Sequence, residues 1–274
     1  MFPHSSLSQG WQLRLSCLLA IVGAIAGASD CARAQITPHN TLGNQNSTVT
    51  STGSVDFIDG GAPRGANLFH SFLEFNVDAV RRAYFTNPPG IENIFSRVTG
   101  GSRSEILGTL GVLGSANLFL INPNGIIFGP NASLNVGGSF VATTANAIQF
   151  GDRGFFSASA PNVPPVLTVN PSALLFNQIA RQLIANQSVT GLQLPANQSL
   201  LLVGGDVNLE GGKLSAPSGR VELGGLAGAG TVGLRVDGSN LRLSFPVGVR
   251  RADVSLSNGA SVDVSYFGAG DIQV

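Results

Sequence analysis

The chain has 274 residues, of which 11% are charged, 43% are apolar and 36 are glycine, and its formal net charge is zero. An ordinary globular domain carries about 25% charged residues, so this protein lacks the basic surface that nucleic acid or anionic lipid requires. The high apolar content excludes intrinsic disorder, and the many glycines favour short strands joined by tight turns.

The N-terminus is predicted to be a cleavable secretory signal covering residues 1–34. A polar opening carries Arg14, and an apolar run of about 14 residues follows at positions 15–28, which is short of the ~20 needed to cross a bilayer as a helix. Ala32-Arg33-Ala34 presents small residues at the two positions that a signal peptidase reads, so cleavage is predicted after Ala34. No later stretch approaches a spanning length, and the mature chain is predicted to have no membrane span.

Both cysteines, Cys17 and Cys31, lie in this leader, so the mature chain contains none. An exported protein without cysteine has no disulfide stabilisation. This composition suits passage through a narrow pore as an extended chain. General cysteine avoidance explains the same observation equally well.

The first half of the mature chain is rich in aromatic residues and has segments that look individually specified. Residues 67–72 and 75–77 cluster apolar side chains, and the apolar run at 117–121 leads into Asn122-Pro123-Asn124-Gly125. Pro123 suits the first central position of a type I turn, Asn124 the second, and Gly125 the left-handed residue that follows. This pattern predicts two strands with a sharp bend at Asn122.

The second half is predicted to consist of short strands. Residues 161–165 are predicted to form an external loop, and residues 174–184 a strand or a short helical excursion. Glycine pairs such as Gly204-Gly205 and Gly211-Gly212, together with Asn258-Gly259, are predicted to supply positive φ at corners. Eight alternating triplets, each predicted to turn one face inward, begin at Val207, Lys213, Val221, Val232, Leu241, Val254, Val262 and Ile272.

An all-β parallel β-helix is favoured by these patterns, and a sandwich or barrel stays open as the alternative. The strands are three to five residues long, the turns have irregular lengths, and longer hairpin alternation is absent. A solenoid needs an end cap, because its first turn otherwise exposes an open sheet edge. Residues 35–150 are therefore predicted to hold an N-terminal β cap and the first turns, and residues 151–274 further turns.

Residue types that support catalysis or metal binding are present without a recognisable arrangement. His39 and His70 are predicted to be a loop residue and a member of an aromatic cluster, so no metal site is predicted. Neither a Gly-x-Ser-x-Gly nucleophile motif nor a phosphate-binding loop occurs, and no cofactor is predicted. The main rival function is a polysaccharide-cleaving β-helix, which would use paired carboxylates. Its candidates occur singly, at turns or outward positions: Asp206, Glu210, Asp237, Asp253 and Asp263.

Several motifs in order resemble the N-terminal secretion domain of filamentous haemagglutinin-type exoproteins, the two-partner secretion family, and in particular its cyanobacterial branch. The strongest is residues 117–129, which contains Asn-Pro-Asn-Gly-Ile at Asn122 to Ile126. The others lie at residues 58–72, 75–77, 91–94, 97–101, 104–106 and 137–140, together with Gly108. The family's other Asn-Pro-Asn-type motif, which should lie upstream, is not evident.

The resemblance implies a right-handed parallel β-helix that is not an enzyme. It also implies a partner, an outer-membrane β-barrel transporter whose periplasmic domains recognise the unfolded or partly folded chain before export to the cell surface or medium. Asn122, Pro123, Asn124, Gly125 and Ile126 are predicted to be a recognition or nucleation element, and a purely structural turn is the alternative. The parent protein is predicted to be an adhesin that binds a cell surface or a polysaccharide. Because the chain stops at Val274 inside a predicted strand, a fragment, truncated product or short member is expected.

Overall fold

The computed structural model describes residues 36–177, 182–265 and 270–274. The described residues all belong to one compact unit, Ala34–Val274. The predicted signal peptide lies outside the described residues. Every regular element in the described ranges is a β-strand, and no helix there is long and apolar enough to cross a membrane.

Short strands punctuated by glycine and asparagine account for the regular structure in the described ranges. In the first half they are β1 (Ile36–Pro38), β2 (Ser47–Thr52), β3 (Val55–Gly60), β4 (Ala62–Arg64), β5 (Asn67–Phe75), β6 (Arg82–Thr86), β7 (Asn93–Val98), β8 (Ser104–Ile106), β9 (Thr109–Leu113), β10 (Asn117–Ile121), β11 (Ile126–Phe128), β12 (Ser133–Asn135), β13 (Phe140–Thr143) and β14 (Ala147–Gln149). In the second half they are β15 (Phe155–Ser157), β16 (Ala173–Phe176), β17 (Ile184–Asn186), β18 (Leu192–Gln193), β19 (Ser199–Gly204), β20 (Val207–Glu210), β21 (Lys213–Ser215), β22 (Arg220–Gly225), β23 (Gly230–Asp237), β24 (Asn240–Ser244), β25 (Val254–Ser257), β26 (Ser261–Asp263) and β27 (Asp271–Gln273).

The chain coils into a solenoid with three walls of parallel strands. Wall 1 contains β5, β7, β10, β13, β19, β22 and β27, and wall 3 contains β8, β11, β17, β20 and β25. Wall 2 contains β3, β6, β9 and β12 and continues through β18, β21 and β26, since β12 contacts β18. Within the solenoid, each strand lies in a different wall from the solenoid strand before it and pairs with strands one turn away. The predicted parallel β-helix is therefore confirmed, and the sandwich or barrel alternative is wrong.

The solenoid interior is filled by side chains that stack in register from turn to turn. In wall 1 one inward row passes from Leu68 to Ile94 and Leu118, and then to Phe140 and Leu200. All five side chains are fully buried. Burial of such a side chain contributes about 1.5–3 kcal/mol, and no single turn could provide it without its neighbours.

The N-terminal β cap is present, as the need to cover the first edge predicts. β1 pairs antiparallel with β5 along wall 1, and β2 forms a hairpin with β3 along wall 2. β4 also folds back on β5 in an antiparallel pair. These strands occupy the edges that the first turn of a parallel stack leaves open.

An antiparallel cover sheet, which the sequence did not predict, packs on the outer face of wall 1. It is built from two excursions that leave the solenoid after β13 and β22, in the order β15-β14-β16-β23-β24. Between the sheets lies a second buried core that includes Phe69, Phe95 and Phe119 of wall 1 and Phe150 and Phe156 of the first excursion. The proline-rich loop at residues 161–165 belongs to this excursion, with Val163 52% exposed.

The prediction of solenoid turns is wrong for two of the eight triplets. Those at Val232 and Leu241 form the β23–β24 hairpin of the cover sheet and are not solenoid turns, so longer hairpin alternation is present after all. A strand with one covered face shows the same alternation in a solenoid wall as in an antiparallel sheet. The pattern therefore could not distinguish solenoid strands from the strands of the cover sheet. The other six triplets lie in solenoid strands. Residues 173–176 and 184–186 are strands, and residues 178–181 lie outside the described residues.

The glycine pairs serve two different purposes. Gly211, Asn258 and Gly259 have φ of 68°, 53° and 76°, as corners require. Gly204 belongs to β19 instead, so the prediction for Gly204-Gly205 is wrong. A Cβ on Gly204 would lie 2.9 Å from Thr144 Oγ1, so glycine is needed there for close approach between chain segments.

His70 lies in the solenoid core where the cap meets the first turn. Its ring is fully buried, and the centre of the ring lies 5.1 Å from the centre of the Phe85 ring. Among the described residues, Nδ1 has a hydrogen-bond partner in the Ser47 hydroxyl at 3.1 Å, whereas Nε2 has none. Burial lowers the pKa of His70 to about 3. The predicted place in an aromatic cluster is confirmed.

This burial makes a pH dependence of stability predictable. Because the folded pKa lies below the unfolded value of about 6.5, the unfolded state binds the extra proton. The contribution of neutral His70 is complete above about pH 6.5 and is lost as pH falls, at about 1 kcal/mol per pH unit between pH 6 and 4. Urea unfolding of residues 34–274 across this range should show a shallower slope for His70→Leu than for wild type. Equal pH dependence of the free energy of unfolding in the two proteins would contradict this role of buried His70.

Candidate functional site

The predicted motif forms the corner between wall 1 and wall 3. β10 ends at Ile121, and the Gly125 amide donates to the Asn122 carbonyl at 3.1 Å, which closes a four-residue turn around Pro123 and Asn124. Gly125 has φ of 110°, a conformation that favours glycine. The predicted bend between two strands is confirmed, and β11 begins at Ile126.

The Asn122 side chain joins this corner to the preceding turn of the solenoid. Its Oδ1 accepts from the Asn124 amide at 2.9 Å, and its Nδ2 donates to the Ser102 carbonyl at 3.1 Å and to the Ser104 hydroxyl at 3.0 Å. Asn124 Nδ2 donates in parallel to the Gly100 carbonyl at 2.7 Å. An amide side chain both donates and accepts, so asparagine suits a position that must satisfy its own turn and its neighbour.

Backbone bonds extend the same corner toward the following turn. The Asn122 amide donates to the Thr143 carbonyl at 3.0 Å, and the Ile126 amide donates to the Leu183 carbonyl at 3.1 Å. The motif therefore connects three successive layers of the solenoid. In the folded chain Asn122, Gly125 and Ile126 are buried, and only Pro123 and Asn124 are partly exposed.

The motif contains no group that titrates, and its side chains act here through hydrogen bonds and packing. Elsewhere, the structure brings together two of the five candidate carboxylates: the Asp253 amide donates to Asp206 Oδ1 at 3.1 Å. Glu210 lies at the opposite end of β20 from Asp206, beside Gln187 and Asn258. Asp237 lies in the cover sheet, and Asp263 lies in wall 2. In the described ranges no three His, Cys, Asp or Glu side chains could hold a metal ion.

Sequence reasoning missed Arg97, which joins the cap, wall 1 and the cover. Its Nε donates to the Ser71 hydroxyl at 3.0 Å, and its two terminal nitrogens donate to the carbonyls of Thr41 (3.2 Å), Ser157 (2.9 Å) and Asn162 (2.8 Å). The guanidinium lies 4.4 Å from the centre of the Phe156 ring. Arg97 forms no ion pair within the described ranges, and burial lowers its pKa to about 10.

A ladder of asparagines at the start of wall 1 was also missed. Asn93 Nδ2 donates to Asn67 Oδ1 at 3.0 Å, and Asn117 Nδ2 donates to Asn93 Oδ1 at 2.9 Å. The ladder reaches the cover through Asn67, which donates to the Leu167 carbonyl at 2.8 Å, and through Asn117, which donates to the Gly238 carbonyl at 3.0 Å. The signal was present as the spaced tripeptides Asn-Leu-Phe, Asn-Ile-Phe and Asn-Leu-Phe that open β5, β7 and β10.

Comparison with known proteins assigns this solenoid to a family. The model of the TPS secretion domain, the domain of two-partner secretion, matches residues 34–274. The chain belongs to this family. TPS exoproteins are secreted through the periplasm, and a TPS secretion domain implies a partner transporter in the outer membrane.

Solved structures share the fold of this TPS secretion domain. The HMW1 secretion domain from Haemophilus influenzae has a TM-score of 0.58 at 20% identity, with 87% of this chain and 55% of that chain covered. The filamentous hemagglutinin secretion domain has a TM-score of 0.53 at 18% identity, with coverage of 83% and 75%. These likenesses concern the fold alone.

A curated relative matches part of the TPS secretion domain. The heme/hemopexin-binding protein of Haemophilus influenzae is 29% identical over 136 residues, which make up 50% of this chain and 14% of that protein. The chain thus matches a small part of a much longer relative.

The side-chain hydrogen bonds that Asn122 and Asn124 form with the preceding turn predict unequal stability losses when each is removed. Asn122→Ala should lower the free energy of unfolding by about 2 kcal/mol, because it leaves buried donors and acceptors unpaired, and Asn124→Ala by about 1 kcal/mol or less. Chemical denaturation of residues 34–274 measures both losses. Asn131→Ala, at an exposed asparagine, should change stability by less than about 0.5 kcal/mol. An equal loss of stability for Asn131→Ala and Asn122→Ala would contradict a stabilising role for the Asn122 hydrogen bonds.

Proposed function

We propose that this TPS secretion domain is the export address of a secreted exoprotein, recognised in the periplasm by soluble domains of a partner outer-membrane β-barrel transporter. The observation that carries the proposal is the match of the family model to residues 34–274. The leader at residues 1–34 would then serve only the inner-membrane crossing. The domain would have no enzymatic role, and the parent protein would act in adhesion at a cell surface.

The way the domain satisfies its buried polar groups supports recognition before folding is complete. Arg97 obtains partners from Ser157 and Asn162, and Asn117 obtains one from Gly238, which lies 121 residues later in the chain. With the first turns alone these donors have only water in place of those partners, and the apolar outer face of wall 1 is exposed, which is unfavourable. Wall 1 is therefore completed only when both excursions are available, and an incompletely folded chain stays accessible to a transporter.

The motif at Asn122 to Ile126 is the proposed recognition or nucleation element. In the folded chain Asn122 is buried, so a transporter would read it before the corner closes. Asn124 distinguishes recognition from structural support better than Asn122 does. Its side chain is partly exposed, and its substitution by alanine is predicted to cost little stability. We expect Asn124→Ala to reduce the secreted fraction more than its stability loss explains. Secretion that falls only in proportion to stability would assign the turn a structural role.

Capture by the partner's soluble domains tests the proposed recognition. The immobilised periplasmic domains of the partner β-barrel transporter would receive residues 34–274 diluted from urea. We expect capture during refolding and much weaker capture of the prefolded chain. An equally unfolded chain with Asn122 to Ile126 replaced by Ser-Gly-Ser-Gly-Ser is the control and should be captured less. Absence of capture for the wild-type chain would reject recognition by this partner.

The rival function is polysaccharide cleavage, which the neighbouring Asp206 and Asp253 would have to perform. Both lie at the edge of wall 3, and the hydrogen bond that joins them runs from a backbone amide to a carboxylate. We expect residues 34–274 to release no reducing sugar from acidic or neutral polysaccharides, with or without Ca²⁺. Robust cleavage would replace the proposed function.

A further inference from the structure

The outer face of wall 2 carries an aromatic platform that the export function does not use. The described residues of the excursions pack on wall 1 and do not cover this face. One outward row crosses five strands in register at Thr50, Phe57, Tyr84, Gly111 and Asn135. Phe57 and Tyr84 are both partly exposed.

The Tyr84 ring lies across the sheet over Gly111. A Cβ on Gly111 would lie 2.5 Å from one ring carbon of Tyr84 and 2.7 Å from the next, so any other residue would displace the ring. Gly111 is buried although its position faces outward. Asn135, two strands away, donates from Nδ2 to the Tyr84 hydroxyl at 3.0 Å and holds the ring down. The ring is thereby fixed with one face on the sheet.

Polar groups flank this ring on the same face. Arg82 lies two residues before Tyr84 on β6, is exposed, and forms no ion pair within the described ranges. Its register partner Thr109 shares a hydrogen bond of 2.9 Å with Ser133. Asp59 lies two residues after Phe57 on β3, on the other side of the row from Arg82. The platform therefore has a positive side and a negative side.

We propose that this platform binds an acidic polysaccharide that contains uronic acid. The aromatic face packs against the C–H face of a sugar ring, which needs a flat, immobile ring of the kind that Gly111 and Asn135 maintain. The Arg82 guanidinium pairs with the uronate carboxylate in the two-pronged geometry that arginine favours. Hydroxyl groups of Thr109 and Ser133 face the sugar hydroxyls. The free charge on Arg82 favours a uronate over a neutral sugar on its own side of the row, away from Asp59.

Binding to polygalacturonate tests the proposal, with its fully methyl-esterified form as the neutral control. For residues 34–274 at physiological salt, measured by calorimetry, Tyr84→Ala should weaken binding about tenfold or more, and Tyr84→Phe by less than about threefold. Arg82→Gln should weaken it about fivefold and abolish the preference for the free acid. Arg235→Gln, at an exposed arginine on the cover sheet, should bind as wild type does.

Three outcomes would overturn the proposal: no wild-type binding, equal binding of the esterified polymer, or an equal loss in Arg235→Gln and Arg82→Gln. The last would indicate attraction to any surface charge. Circular dichroism melting checks each variant, and Arg82→Gln and Tyr84→Phe keep the test decisive if Tyr84→Ala unfolds. The site is independent of export, so its failure leaves the proposed function intact, and failed capture by the transporter leaves the site intact.

Discussion

Arg97→Met should lower the free energy of unfolding by about 3 kcal/mol. Methionine preserves the apolar stem but removes every donor, which leaves the carbonyls of Thr41, Ser157 and Asn162 without their partner. Because these carbonyls belong to the cap and to the first excursion, both should loosen together. Urea unfolding of residues 34–274 measures the loss, and hydrogen exchange shows whether residues 41–46 and 157–170 lose protection in parallel.

Arg103→Gln is the matched control for this substitution. Arg103 is exposed and pairs with Glu105 at 2.7 Å, an arrangement that contributes less than about 1 kcal/mol. Arg97→Lys should fall between wild type and Arg97→Met, since a single ammonium cannot reach all the acceptors. If Arg97→Met is as stable as Arg103→Gln, the buried arginine does not hold the cap and the cover together.

Phe95→Ala should destabilise the domain by about 3–5 kcal/mol. Its ring stacks between Phe69 at 5.1 Å and Phe119 at 4.5 Å, and it meets the edge of Phe150 at 5.1 Å. Removal of the ring leaves a cavity between wall 1 and the cover sheet that stacked neighbours can close only in part. Thermal and urea unfolding both report the change.

Phe155→Ala supplies the matched control for the same chemical change. Phe155 lies in the cover sheet with 47% of its surface exposed, so its truncation should cost less than about 1 kcal/mol. Similar losses for the two variants would mean that the cover does not form a second core. Limited proteolysis adds a local measure, since Phe95→Ala should increase cleavage at residues 159–170 ahead of the solenoid.

Local patterns predicted the solenoid well where a residue acts on its immediate neighbours. Asn122, Pro123 and Gly125 each have a conformational preference that the turn uses, so the bend and both flanking strands could be read from the sequence. The six solenoid triplets after Leu200 were equally accessible, because alternation reports which side chains face inward. Alternation alone left a parallel β-helix and a sandwich or barrel as alternatives, and the resemblance to exported solenoid domains favoured the β-helix.

The cover sheet could not be predicted in this way, because its partner surface is defined by register between distant segments. Phe95 and Phe119 stack only because β7 and β10 align residue for residue, and no local pattern sets that alignment. Arg97 looked like an ordinary strand residue, since its acceptors lie up to 65 residues away. The repeated Asn-x-Phe tripeptides, spaced by 26 and 24 residues, would have revealed the register had they been treated as a repeat.

The measurement that tests the central claim most directly is export of a reporter. Residues 1–274 would be fused to a cysteine-free reporter that unfolds readily, and the fusion would be co-expressed with the partner outer-membrane transporter. The proposed address predicts reporter in the medium only when both the domain and the transporter are present, and reporter retained in the periplasm when residues 35–274 are deleted. Export of the reporter behind the leader alone, or retention of the complete fusion despite a functional transporter, would contradict it.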